Sequence, residues 1–156
     1  MDSFQKFYTQ QKERFFAYLL RMTADFELAR DLMQESFARY LENYGRNQPN
    51  PSLLYTIGRN ALLDHSRKKG RTVSMIKEPA DGKLDNEQFQ LVREEYRQVL
   101  SAMQKLSSDE HEILAMVVSS DLNYKEIAEI IGISEANVKV KVHRARIKLK
   151  KNLHNR

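Results

Sequence analysis

Apolar residues recur at three- and four-residue steps through most of this chain, and no sustained apolar–polar alternation marks a strand. The period predicts an all-α fold. Phe7, Tyr8, Phe15, Phe16, Tyr18, Leu19 and Leu20 give bulk to a first helix from Phe4 to about Arg21. Asp25 then supplies a cap for a second helix, which runs to about Tyr44 on Leu28, Ala29, Leu32, Met33, Phe37, Tyr40 and Leu41. Asn50 sets a capping side chain ahead of Pro51 at a first helical position, so a third helix starts there and turns Leu53, Leu54, Ile57, Ala61, Leu62 and Leu63 inward. Around Pro79 the apolar period lapses, as in a linker. A fourth helix is expected from Asn86 to about Lys105, and a fifth behind the capping box of Ser107 and Glu110.

From Leu122 onward the pattern is more specific. Asn123 with Glu126 forms a second capping box, Gly132 suits the left-handed end of a short helix, and Ser134 caps the helix that follows. Ile127, Ala128, Ile131, Ile133, Val138, Val142 and Ala145 make an apolar seam across both. Two short helices joined by a glycine-containing turn specify a helix-turn-helix, the second helix being the one built to lie against DNA.

Charge sharpens that reading. The chain carries a net +5, whereas Ser134 to Arg156 alone carries +7, leaving −2 on everything before it. A cationic helix gains affinity for a duplex by displacing condensed counterions. With Val138, Val142, Ala145 and Leu149 turned to the core, Lys139, Lys141, His143, Arg144 and Arg146 are expected on the opposite side. A second basic segment, Arg59 to Arg71, holds five cations against Asp64. By contrast, Glu27, Asp31, Gln34, Glu35 and Glu42 form a mainly acidic stripe on the second helix, and residues 78–95 hold six acids against Lys83 and Arg93.

Composition removes several alternatives. Without cysteine there are no disulfides, thiolate metal sites or cysteine nucleophiles. The four histidines are scattered with no paired metal-ligand spacing, so neither a metal nor another cofactor is expected. No apolar run approaches the roughly 20 residues that cross a bilayer, and the start lacks the layout of a secretion signal, so a cytoplasmic location is expected. A nucleic-acid enzyme using Glu35 with Asp64 or His65 lacks a nucleophile or phosphate loop at mechanistic spacing, so no catalytic activity is expected. A stand-alone helix-turn-helix regulator leaves the acidic stripe and the Arg59–Arg71 segment without a purpose.

Taken in order, the strings Asp31-Leu-Met-Gln-Glu-Ser-Phe37, Leu54-Tyr-Thr-Ile-Gly-Arg-Asn-Ala-Leu-Leu-Asp-His-Ser-Arg-Lys68, Leu106-Ser-Ser-Asp-Glu-His-Glu-Ile-Leu114, Tyr124-Lys-Glu-Ile-Ala-Glu-Ile-Ile-Gly-Ile-Ser134 and Val138-Lys-Val-Lys-Val-His-Arg-Ala-Arg146 resemble the extracytoplasmic-function sigma factors of bacterial RNA polymerase. The resemblance spans nearly the whole chain. It implies two small helical domains: a region 2 domain over residues 1–72, a linker over 73–86, and a region 4 helix-turn-helix domain over 87–156. As implied partners it brings core RNA polymerase, met at the beta-prime clamp coiled coil and the beta flap, promoter DNA, and an anti-sigma factor.

The same resemblance assigns residues. Asp31, Gln34 and Glu35 would meet the basic clamp coiled coil, where complementary charge governs orientation and association rate. Asn60, Asp64, Arg67 and Lys68 would touch the minus-10 region, with Arg46, Asn47, Gln48 and Asn50 cradling an unstacked base and Tyr55 as the nearest aromatic ring. Ser134, Asn137, Lys139, Val140, Lys141, His143, Arg144 and Arg146 would face the minus-35 element. The chain departs from the family pattern at Leu53, where tryptophan is usual, at Gly58 for a frequent alanine, at Asp121 for a glycine, and at Val140 for a common serine. The last exchange removes a hydroxyl and leaves an apolar contact with a thymine methyl open.

Overall fold

A computed structural model describes residues 3–44, 49–69 and 87–154. It contains seven helices and, among those residues, no strand: α1 (Ser3–Thr23), α2 (Phe26–Tyr44), α3 (Pro51–Lys69), α4 (Glu87–Gln104), α5 (Ser108–Ser119), α6 (Tyr124–Ile131) and α7 (Glu135–His154). Local chemistry sets their starts as expected. The Leu28 N–H donates to Asp25 Oδ1 at 3.1 Å, and the Leu53 N–H to Asn50 Oδ1 at 3.2 Å. Capping boxes open α5 at Ser107–Glu110 and α6 at Asn123–Glu126, and Gly132 closes α6 at φ +88°. The linker residues 73–86 and the expected fourth-helix start at Asn86 lie outside the described residues.

The helices form two layers of packing. In the first, α1, α2 and α3 close around an aromatic core in which Phe7 stacks on Tyr40 with ring centroids 4.9 Å apart, and Phe15 meets Tyr55 edge to face at 5.1 Å. Each such ring removed from water contributes about 1.5–3 kcal/mol. Gly58 is explained here, because a Cβ at that position would sit 2.6 Å from the Phe15 ring. The missing methyl group lets α3 seat directly on a buried phenyl. Leu63, expected inward, is instead 38% exposed at the outer edge of α3.

In the second layer α7 packs on α4, α5 and α6, burying Val138, Val142 and Ala145 against Met103, Ile113, Leu114, Met116 and Ile127. The two layers are not independent bodies in this conformation. α1 packs on α5 and α3 on α6, and the buried apolar residues form one continuous cluster through both halves.

Candidate nucleic-acid interface

α7 is positioned from its first turn. The Asn137 N–H donates to Ser134 Oγ at 3.1 Å, the left-handed Gly132 swings the chain out of α6, and the apolar side of α7 is drawn into the core. Burial of one side dictates the exposure of the other: Ser134, Asn137, Lys139, Val140, His143, Arg144 and Arg146 are all exposed. Lys141 departs from the groove-facing set expected of it. It leans back toward α5, where its ammonium lies 3.3 Å from Asp109. Its position on the helix puts it beside the core-facing stripe rather than across from it, which is the reason.

Two more cations of this helix have partners within the protein. Lys139 lies 3.6 Å from Glu135, and Lys148 reaches Glu110 at 3.0 Å. Burial by itself would raise the Glu110 pKa. The Lys148 ammonium together with the Ser107 hydroxyl and N–H outweighs it and holds the carboxyl below its ordinary value. Glu110 is therefore ionised at neutral pH and anchors α7 to the start of α5.

On α3, Asn60, Asp64, Arg67 and Lys68 are all exposed, at the four- and three-residue steps that place them on one side. Arg67 and Asp64 approach to 3.9 Å. Asn50 is exposed at the helix start, and its backbone N–H donates to the Tyr40 hydroxyl at 2.9 Å, tying this end of α3 to α2. Arg46, Asn47 and Gln48 lie outside the described residues. Tyr55 requires a correction: it is 0% exposed, wedged between Phe15 and Tyr18, and its ring belongs to the core rather than to a base. Its register explains this, since Tyr55 falls beside Leu54 and Gly58 on the inner side of α3.

The acidic stripe of α2 is carried on a different helix from either basic surface. Asp31, Gln34 and Glu35 are exposed because Leu32, Ser36, Phe37 and Tyr40 take the inner side, and Glu35 pairs with Arg39 at 2.6 Å one turn on.

A further polar set joins the two halves, and apart from Asp121 no local feature of the sequence points to it. Arg59 Nε and Nη2 donate to Glu112 at 2.7 and 3.3 Å, a bidentate pair across α3 and α5 that raises the Arg59 pKa through its hydrogen bond to Glu112. Arg14 pairs with Asp121, the Arg21 guanidinium donates to Ser119 Oγ at 2.8 Å, and the Ser52 hydroxyl donates to Glu126 at 2.9 Å. His111 Nε2 sits 2.9 Å from the Arg21 carbonyl. Asp121, noted only as a departure from glycine, was the one available hint. Among the described residues no cluster of three or more His, Asp or Glu is arranged to hold a metal, and no helix is long and apolar enough to cross a membrane.

Comparison with known proteins matches two families along the chain in order. Residues 7–72 match the family described as Sigma-70 region 2, and residues 96–149 that described as Sigma-70, region 4. The chain is 36% identical over 146 residues to the ECF RNA polymerase sigma factor SigM of Bacillus subtilis, covering 90% of this chain and 88% of that protein. It is 34% identical over 140 residues to the ECF RNA polymerase sigma factor EcfG of Rhodopseudomonas palustris, covering 85% and 75%. In fold it is similar to the sigma factor RpoE of Bartonella quintana, solved in complex with the anti-sigma factor NepR, with a TM-score of 0.72 over 97% of both chains at 23% identity.

Proposed function

This chain belongs to the ECF sigma factors of RNA polymerase, and from that membership we propose which of its surfaces makes each contact of a promoter-specificity subunit. A sigma factor binds core RNA polymerase and directs promoter recognition, melting and initiation; polymerisation itself belongs to the enzyme it directs. Residues 1–72 and 87–156 act as the two working units, with 73–86 between them. Asp31, Gln34 and Glu35 on α2 take the basic clamp coiled coil of the polymerase. Asn50, Asn60, Asp64, Arg67 and Lys68 take the minus-10 region, joined by Arg46, Asn47 and Gln48 of the preceding loop. α7 takes the minus-35 element through Asn137, Lys139, Val140, His143, Arg144 and Arg146, with the beta flap against the same unit.

The observation that carries this assignment is the partition of exposed charge: carboxylates on α2, and basic faces on α3 and α7. A protein that bound only DNA has no use for an exposed acidic helix face, because that face repels phosphate. The protein works in the cytosol, where polymerase and template are. A protein antagonist of the anti-sigma type is its regulator, a reading supported by the complex in which the Bartonella protein was solved.

The test is run-off transcription with purified core polymerase on a pool of genomic promoters. Transcripts are expected to start at defined sites only when this chain is added. Asp31→Ala combined with Glu35→Ala should weaken capture of core enzyme about tenfold, the effect of losing two exposed charge contacts of roughly 0.5–1 kcal/mol each, while leaving the thermal midpoint unchanged. Undiminished capture by that double variant would remove α2 from the polymerase contact.

A further inference from the structure

Until Lys151 in its last turn, the outermost line of α7 is not cationic. At 3.6 residues per turn the side opposite Val138, Val142 and Ala145 is occupied by Ala136, Val140 and Ile147, with His143 and Arg144 alongside. Val140 is 45% exposed and Ile147 56%, two of the four large apolar residues left open to water among the described residues. The cations lie to the sides of that line. Lys139, Arg146 and Lys150 form one flank, and Lys141, Arg144 and Lys148 the other. Three of these six are held by acids of the protein itself, Lys139 by Glu135, Lys141 by Asp109 and Lys148 by Glu110. The side chains at 136 and 140 are short, so nothing on the midline keeps the helix backbone away from a groove floor. Arg146 and Lys150 on one flank and Arg144 on the other are exposed and long enough to reach the phosphate walls of a groove about 12 Å wide.

We propose that Val140 reads the 5-methyl group of a thymine in the upstream promoter element, so that specificity at that base pair comes from an apolar contact and not from a hydrogen bond. The inference rests on the assignment of α7 to that element. Val140 has no donor or acceptor, so it cannot distinguish bases by hydrogen bonding. Among the four bases only thymine offers an apolar group to the major groove. Val140 is also in the first half of its helix, where recognition helices contact base edges. Ile147, two turns further on, lies beyond the bases and serves as an internal control for apolar surface in general.

The experiment uses core polymerase reconstituted with the full chain on a promoter selected from the genomic pool. Thymine is replaced by uracil, which lacks only the methyl group, at each upstream position in turn. At one position uracil should reduce promoter binding about fourfold, the size of one buried methyl contact. Val140→Ser should abolish the thymine preference at that position while keeping the thermal midpoint of the native chain, and Ile147→Ser should retain the preference. Cytosine carrying a 5-methyl group at the same position, opposite guanine, should recover part of the loss relative to plain cytosine. The proposal is overturned if no upstream position responds to the methyl group, or if the response survives in Val140→Ser. Transcription that depends on upstream sequence but ignores methyl groups sinks this proposal alone. Absence of any dependence on upstream sequence removes the assignment of α7 as well, and this proposal with it.

Discussion

Two buried positions show how single residues tie the halves and the helices together. Considered locally, Gly58 costs roughly 1 kcal/mol in a helix relative to alanine. The packing reverses that account, because the Phe15 ring occupies the space an alanine methyl would need. No sequence period reports such an approach, since it depends on where α1 crosses α3. His111 is the second case, buried in α5 with Nε2 at the Arg21 carbonyl of α1. Burial lowers its pKa from the ordinary 6.5; the carbonyl and the neighbouring Glu112 pull the other way without winning. The folded chain thus binds fewer protons here than the unfolded chain, and stability contributed at this site rises with pH. It is fully present above about 6.5 and is lost as pH falls from there toward the folded-state pKa. Urea unfolding between pH 7.5 and 5 should show a steeper loss of stability for the native chain than for His111→Gln. Parallel curves would mean that His111 is not held neutral by the fold.

At the scale of elements, what is local was legible and what is distant was not. Every helix start that the sequence marked with a cap carries the corresponding hydrogen bond: Asp25, Asn50, Ser107, Asn123 and Ser134 each accept from a backbone N–H three residues on. Caps are readable because donor and acceptor sit within one turn of each other. Tyr55, Leu63 and Lys141 were misjudged for the converse reason. Lys141 lies beside the inner stripe of α7, whereas Tyr55 is fully buried and Leu63 is 38% exposed on α3, and how neighbouring helices cover each turn decides all three. The turn of the helix-turn-helix offers a clean test of the local part. Gly132 has φ +88° and no atom within 4 Å of where a Cβ would be, so Gly132→Ala clashes with nothing and pays only for the left-handed backbone. A loss of about 1–2 kcal/mol is expected by chemical denaturation. Gly132→Asn should lose less, because asparagine tolerates that conformation better. Equal losses in the two variants would show that the turn is not governed by backbone conformation.

The whole molecule poses a problem of distance. α3 packs on α6 and α6 on α7, so the axes of the two DNA-facing helices stand two interhelical steps apart, roughly 20 Å. The minus-10 and minus-35 elements lie about 25 base pairs apart, roughly 85 Å of duplex at about 3.4 Å per pair. A chain that engages both at once must therefore part its halves, breaking the contacts of Arg59 with Glu112, Arg14 with Asp121 and Ser52 with Glu126 and the apolar packing of α1 on α5. Arg59 and Ser52 belong to α3 itself, so the packed state occupies the helix proposed to melt the promoter with the other half of the chain. The Arg59–Glu112 pair is bidentate and mostly shielded, and losing one partner leaves a charge without compensation, which makes it the contact whose removal should matter most. The absence of cysteine permits a direct measurement with dyes at E42C and E129C, both exposed. Energy transfer between them should be high in the free chain and fall when core polymerase and promoter are added. Glu112→Arg should lower it in the free chain by setting two cations against each other, and adding Arg59→Glu should restore it by reversing the pair. If transfer is already low in the free native chain, or if the reversed pair fails to restore what Glu112→Arg removed, then Arg59 and Glu112 do not hold the halves together.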